Sequence, residues 1–158
     1  MIQRIQTIFL AIVAICMGVV STSPIWTKIS INTSESLKLN ALSLNYSKNG
    51  TLLENTPTYL ILGFAILAGL VALYSLVSFK NRKMQMLLGA VNSMIIAISM
   101  GFIFYYIFKV GAEKFDPAEQ GNYEIGFYAG GVALLANMIS NRFIRRDENL
   151  VRSADRMR

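Results

Sequence analysis

The stretch YLILGFAILAGLVALYSLVSFKNRKMQMLLGAVNSMIIAISMGFIFYYIF, residues 59–108, decides the fold. It consists of two long apolar runs separated only by the polar residues 80–83. A helix that crosses the roughly 30 Å hydrocarbon layer of a membrane needs about 20 mostly apolar residues. The stretch therefore predicts two transmembrane helices, over residues 59–79 and 84–108, joined as antiparallel neighbours by a tight basic turn.

Two further apolar stretches, residues 5–21 and 125–144, have no charged residue in their central parts. The whole chain is 54% hydrophobic and only 15% charged, whereas soluble proteins are about 25% charged. We therefore expect an all-α membrane protein, a single membrane domain built as a bundle of four transmembrane helices. The chain has no His and one Cys, which excludes intrachain disulfides and His-based chemistry.

The distribution of Lys and Arg predicts the orientation, because positively charged short loops stay on the cytoplasmic side. Ten basic residues fall on one side of the predicted spans: Arg4, Lys80, Arg82, Lys83, Arg142, Arg145, Arg146, Arg152, Arg156 and Arg158. Five fall on the other: Lys28, Lys38, Lys48, Lys109 and Lys114. We expect a multi-pass protein of the bacterial inner membrane with both termini in the cytoplasm.

The first span has an alternative interpretation. MIQRIQTIFLAIVAICMGVVSTS, residues 1–23, has a basic start, an apolar centre and small residues near Ser21, as a cleaved signal peptide would. Cleavage would leave three spans in the same orientation, so the charge count does not separate the two possibilities.

The polar residues 24–57 predict a small extracytoplasmic β-sheet between helices 1 and 2. IWTKISI alternates at residues 25–31, and SLKLNALSLNYS at residues 36–47 indicates a strand with a bulge at Ala41–Leu42. Asn49–Gly50 favours a tight hairpin turn. The sheet is either a platform for a partner or ligand or a lid over spans one and two, and Trp26 is expected to anchor at the membrane interface.

The second outer loop contains the carboxylates Glu113, Asp116, Glu119 and Glu124. The ligand spacing of an EF-hand is absent, so a solvated acidic loop is favoured over a calcium site. We expect no metal, no cofactor and no catalytic residue.

Small residues spaced four apart and polar residues deep in the spans predict helix packing. They are Ala14, Gly18, Ala65, Gly69, Asn92, Ala97, Ser99, Gly101, Gly126, Gly130, Asn137 and Ser140. The polar members could form hydrogen bonds between helices or, alternatively, line a solute pathway.

Residues 145–158 predict a basic, amphipathic, cytoplasmic C-terminal helix, because Leu150, Ala154 and Met157 share one helical face. The basic residues predicted to contact anionic lipid headgroups or a protein partner are Lys80, Lys83, Arg82, Arg145, Arg146, Arg152, Arg156 and Arg158. Because these charges adjoin apolar spans, a nucleic-acid partner is not expected.

The opening MIQRIQTIFLAIVAI and the closing RRDENLVRSADRMR resemble the end signatures of an uncharacterised family of small four-span inner-membrane proteins from Bacteroidota. Met157 stands where the family has leucine, a change of little volume. The resemblance implies location and topology and names no catalytic residue. The expected function is a non-catalytic subunit or accessory factor of a larger membrane complex, with a protein partner or a homo-oligomer; the alternative is a small oligomeric channel or transporter.

Overall fold

The computed structural model describes residues 3–30, 34–78, 81–111 and 121–156. Its helices are α1 (Gln3–Thr22), α2 (Tyr59–Val77), α3 (Arg82–Tyr105), which continues as a π-helical segment (Tyr106–Gly111), and α4 (Ile125–Arg156). Its strands are β1 (Trp26–Ser30), β2 (Glu35–Leu39), β3 (Ser43–Lys48), β4 (Thr51–Pro57) and β5 (Asn122–Tyr123). The predicted acidic residues Glu113, Asp116 and Glu119 lie outside the described residues.

The predicted fold class, an all-α membrane protein, is wrong. A five-stranded antiparallel sheet with the order β4-β3-β2-β1-β5 accompanies the four helices. The sheet is also not confined to the segment between helices 1 and 2, because β5 comes from the connection between α3 and α4 and pairs with β1. Sequence periodicity missed β5 because it has only two residues, too few to show an alternating pattern.

Each helix packs against two others: α1 and α3 both contact α2 and α4. Ala65, Ala68 and Ala72 of α2 are buried at helical spacing, and small side chains allow the backbones of neighbouring helices to approach closely. Large apolar side chains such as Leu70 and Val77 point outwards on the same helix, with 58% and 75% of their surface exposed. An aqueous solvent would disfavour so much exposed apolar surface, whereas lipid would not.

Three helices are long and apolar enough to cross a membrane: Ile5–Thr22, Tyr59–Val77 and Lys83–Gly111, with mean hydropathies of 2.2, 2.5 and 2.0. They coincide with the first three predicted spans, and the chain is therefore compatible with a membrane protein. Within the described part of the chain α4 is not one of them. Its apolar half contains Asn137, Asn141 and several glycines, and it continues without a break from the predicted span at residues 125–144 to Arg156.

The sequence 36–47 forms two strands and not the predicted single strand with a bulge. Asn40–Leu42 is a turn closed by a hydrogen bond from the Asn40 N–H to the Ser43 carbonyl, and the irregularity in register lies between Tyr46 and Ser47. The predicted hairpin turn at Asn49–Gly50 is confirmed. Both residues have positive φ, 51° and 79°, as a two-residue type I′ turn requires.

Trp26 ties the sheet to the helices. Its side chain is only 4% exposed and lies against two glycines, Gly111 and Gly121, where an added Cβ would meet the indole ring. The prediction that Trp26 anchors at the membrane interface is therefore wrong, because the ring fills a protein pocket that these glycines leave open. Two backbone hydrogen bonds also join the segment before β1 to the start of α4. The Glu124 N–H donates to the Ile25 carbonyl, and the Gly126 N–H donates to the Pro24 carbonyl.

Candidate functional site

A buried polar cluster lies between α3 and α4, and we define it as Gly89, Asn92, Ser93, Asn137 and Asn141. The Asn137 amide donates to the Gly89 carbonyl at 2.8 Å and to the Ser93 hydroxyl at 2.7 Å. Its carbonyl oxygen accepts from the Asn92 amide at 3.4 Å. Asn92 and Asn137 are 1% and 0% exposed. Asn137 is therefore the centre of the cluster.

Gly89 lies at a close contact between α3 and α4. A Cβ there would overlap the Asn141 amide, so any other residue would require the Asn141 side chain to move. The buried Gly89 carbonyl accepts from both Asn137 and Ser93, the latter at 3.1 Å within α3.

More polar side chains are buried along the same helices. Gln85 donates to the Ser75 carbonyl at 3.3 Å and links α3 to α2. Six buried polar atoms have no hydrogen-bond partner within the described residues: Gln6 Nε2, Ser75 Oγ, Asn92 Oδ1, Ser99 Oγ, Ser140 Oγ and Asn141 Oδ1. An unpaired polar atom in a low-dielectric interior is unfavourable by about 1–3 kcal/mol.

The polar cluster offers three side-chain amides, the Ser93 hydroxyl and the Gly89 backbone carbonyl, all neutral. None of these groups titrates near neutral pH, so the cluster lacks a general acid or base. Groups of three or more His, Cys, Asp or Glu that could hold a metal ion are also absent from the described residues. The arrangement can fix the register of two helices or bind a neutral polar guest by hydrogen bonds.

Most of the residues predicted for helix packing face other parts of the protein. Asn92, Ser99, Asn137, Ser140, Ala65, Gly126 and Gly130 are buried, and Ala14 and Gly69 are partly buried. A Cβ on Gly130 would lie 2.6 Å from the Met100 sulfur, and one on Gly126 would lie 2.7 Å from the Pro24 carbonyl oxygen. Gly18, Ala97 and Gly101 instead point outwards, and a Cβ on Gly18 or Gly101 would meet nothing within 4 Å.

Sequence patterns alone did not single out Gly89, Asn141 or Gln85. A usable signal was present, because Gln85, Gly89 and Ser93 follow one another at intervals of four on α3, as do Asn137 and Asn141 on α4. Polar or small residues at that spacing share one helical face.

The predicted basic contact residues are only partly described. Lys80 and Arg158 lie outside the described residues, and the side chains of Arg82, Arg152 and Arg156 are likewise not described. Lys83, Arg145 and Arg146 are exposed. Lys83 and Arg145 come together at a cleft between α3 and α4 that has a volume of about 470 Å³ and is also lined by Met86, Glu148 and Asn149. We call this the α3–α4 cleft.

The four helices and the small antiparallel sheet define the class, a mainly helical protein with a sheet attached, in which three helices are apolar enough to cross a membrane. Residues 2–157 match the sequence profile of a family described as a domain of unknown function, DUF4293, and the chain belongs to this family. The predicted membership of an uncharacterised family is thereby confirmed. No curated protein matches the chain.

Proposed function

We propose that this protein is a four-span bacterial inner-membrane protein with both termini in the cytoplasm, and that it acts as a non-catalytic subunit or accessory factor of a larger membrane complex. Three apolar helices support the membrane location. The ten-to-five division of Lys and Arg supports the orientation.

α4 is the proposed fourth span. It packs beside α1 and α3, and the contact between Asn92 and Asn137 sets the middle of α4 against the middle of α3. Within its apolar half, Asn137 and Ser140 are fully buried and Asn141 is partly buried. Lipid would therefore meet mainly side chains such as Leu135 and Ile139, which lowers the penalty of inserting α4.

The observation that favours a partner subunit is an unused groove on α3. It has a volume of about 330 Å³ and is lined by Ile98, Gly101, Phe102 and Tyr105. Ala97 is exposed on the same helix, one turn before Gly101. Membrane helices associate where small residues let backbones come close, and none of the described residues outside α3 would lie within 4 Å of a Cβ on Gly101. We propose that a transmembrane helix of another subunit, or of a second copy, packs here.

The test compares two exposed glycines. Gly101→Leu fills the groove, whereas Gly63→Leu adds the same side chain on α2, where a Cβ would also meet nothing within 4 Å. Extraction of the wild type in mild detergent should give a complex much heavier than the 17.6 kDa chain. The complex should dissociate in Gly101→Leu and persist in Gly63→Leu. A wild-type monomer without a co-purifying protein, or equal behaviour of the variants, would count against the proposal.

A small channel or transporter is the second candidate. The unpartnered oxygens of Asn92, Ser99 and Ser140 favour it, because a polar solute could satisfy them. The burial of all three side chains disfavours it in a single chain. After Cys16 is replaced by serine, single cysteines at these positions should react with membrane-impermeant thiol reagents if they line an aqueous path. Lack of reaction would leave the accessory role as the better proposal.

A further inference from the structure

The α3–α4 cleft joins two cations from different helices. Lys83 belongs to the first turn of α3, and Arg145 shares one face of α4 with Glu148 and Asn149, three and four residues further on. The volume of about 470 Å³ lies within the range of about 300–1,000 Å³ that is typical of small-molecule sites. An ion pair between Lys48 and Glu35, at 2.9 Å, lies elsewhere among the described residues and involves neither cation.

The cleft lies at the edge of the apolar region on both helices. Lys83 is the first residue of the apolar span Lys83–Gly111, and Arg145 directly follows the predicted span at residues 125–144. Because α3 and α4 are antiparallel and in contact through Asn92 and Asn137, the two edges meet at one height. In a membrane that height is the level of the lipid phosphates.

The lining matches a phosphodiester better than a free phosphate. An Arg guanidinium can bind two oxygens of one phosphate, and a Lys ammonium adds a point charge. With Glu148, the described lining residues carry a net charge of +1, which balances the single negative charge of a phosphodiester and disfavours a more highly charged free phosphate. The Glu148 carboxylate can also accept a hydrogen bond from a headgroup hydroxyl. Met86 supplies an apolar wall towards the hydrocarbon.

We infer that the α3–α4 cleft binds the phosphodiester headgroup of an anionic phospholipid, with Arg145 and Lys83 on the phosphate and Glu148 accepting from the headgroup hydroxyls. This assignment rests on the proposed membrane location and is independent of the proposed partner at the α3 groove.

Arg145→Gln and Arg146→Gln form a matched pair for the test. Each removes one charge from an exposed arginine, and only Arg145 lines the cleft. The isolated protein is titrated in detergent with phosphatidylglycerol or with phosphatidylcholine, whose headgroup has no hydrogen-bond donor, and bound lipid is counted by native mass spectrometry. We expect phosphatidylglycerol to be retained, with about tenfold weaker binding in Arg145→Gln, which corresponds to about 1.4 kcal/mol, and less than about twofold weaker binding in Arg146→Gln. Lys83→Gln should resemble Arg145→Gln.

Equal losses in the two arginine variants would mean diffuse attraction of lipid and would overturn the site. Equal retention of the two lipids would overturn the role of Glu148 and the headgroup hydroxyls. Inorganic phosphate is the third arm: if it displaces the lipid and binds in an Arg145-dependent way, the cleft is a phosphate site and the lipid assignment is wrong. Circular dichroism and thermal unfolding confirm that the variants fold. Failure of the membrane proposal would appear separately, as native protein in the aqueous fraction.

Discussion

Asn137→Ala should lower the free energy of unfolding more than Asn92→Ala, although both changes remove the same type of side chain from a buried position. Each variant loses the 3.4 Å bond between the two amides. Only Asn137→Ala also loses the bonds to the Gly89 carbonyl at 2.8 Å and to the Ser93 hydroxyl at 2.7 Å. The size of the cavity is similar in both. The difference between the variants therefore contains these two bonds, and it is increased by the loss of the unpartnered Asn92 Oδ1 in Asn92→Ala.

Side-chain hydrogen bonds between membrane helices average about 0.6 kcal/mol. The free energy of unfolding should therefore fall by at least about 1.2 kcal/mol more in Asn137→Ala than in Asn92→Ala. Ser93→Ala removes only one of the two bonds and almost no side-chain volume, so it should destabilise less than Asn137→Ala. The Ser93 hydroxyl also bonds to Gly89 within α3, and this bond should matter little because it does not join two helices.

Reversible unfolding in mixed micelles, followed by circular dichroism as the fraction of denaturing detergent rises, measures these differences. If Asn92→Ala is as destabilising as Asn137→Ala, Asn137 is not the centre of the polar cluster. If neither variant differs from wild type, the cluster does not stabilise the contact between α3 and α4 at all.

Three other outcomes are expected. Gly121→Ala should lower the stability by about 1–3 kcal/mol, measured by thermal unfolding, because its methyl group would overlap the Trp26 ring. A smaller loss of stability in a Trp26→Phe background would identify that overlap as the cause. Gly50→Ala should destabilise by about 1 kcal/mol because φ is 79° there, whereas Asn49→Gly should be close to neutral in the same assay. A hydrogen bond to Glu35 and the negative charge of that carboxylate raise the pKa of Lys48 above its ordinary value of 10.5. The contribution of this ion pair to the free energy of unfolding should therefore be present below pH 10.5 and lost as pH rises through the raised pKa. Denaturant titrations should show the stabilities of wild type and Lys48→Met converging as pH rises through that window.

The helices could be predicted from the sequence because the physics that sets them is local. A run of about 20 apolar residues is enough to identify a helix of membrane-spanning length. The boundaries of α1, α2 and α3 lie within three residues of those expected from the runs 5–21, 59–79 and 84–108. The turn at Asn49–Gly50 was equally accessible, since positive φ at two successive residues restricts the choice to a few residue types.

The sheet and the pocket around Trp26 required contacts between distant parts of the chain. β5 is defined by its pairing with β1, about a hundred residues earlier in the chain. The two residues Asn122–Tyr123 do not by themselves predict a strand. Trp26 was expected at the interface because it follows shortly after the first apolar span, but its neighbours in space include Gly111 and Gly121. Burial of that ring is a property of the fold, and local sequence does not contain it.

The candidate site could be predicted only in part, because it too depends on contacts between distant parts of the chain. Asn92, Ser99, Asn137 and Ser140 stood out as polar residues within apolar runs, and all four are buried. Which of them pair depends on the rotation and height of α3 relative to α4, and these follow from contacts between distant residues such as Gly89 and Asn141. The unused face of Gly101 could not be distinguished from the buried face of Gly130 by sequence, because both belong to the same four-residue pattern of small residues.

The two proposed contacts of α3 lie near opposite ends of the helix. Gly101 and Lys83 are 18 residues apart, which corresponds to about 27 Å along an α-helix and to most of the hydrocarbon thickness. The groove is apolar and would recognise its partner by shape, whereas the cleft is charged and would recognise its ligand by hydrogen bonds and ion pairing. Partner binding and lipid retention should therefore respond independently to Gly101→Leu and Arg145→Gln, and a variant at one site that abolished both would indicate general unfolding and not the loss of a specific contact.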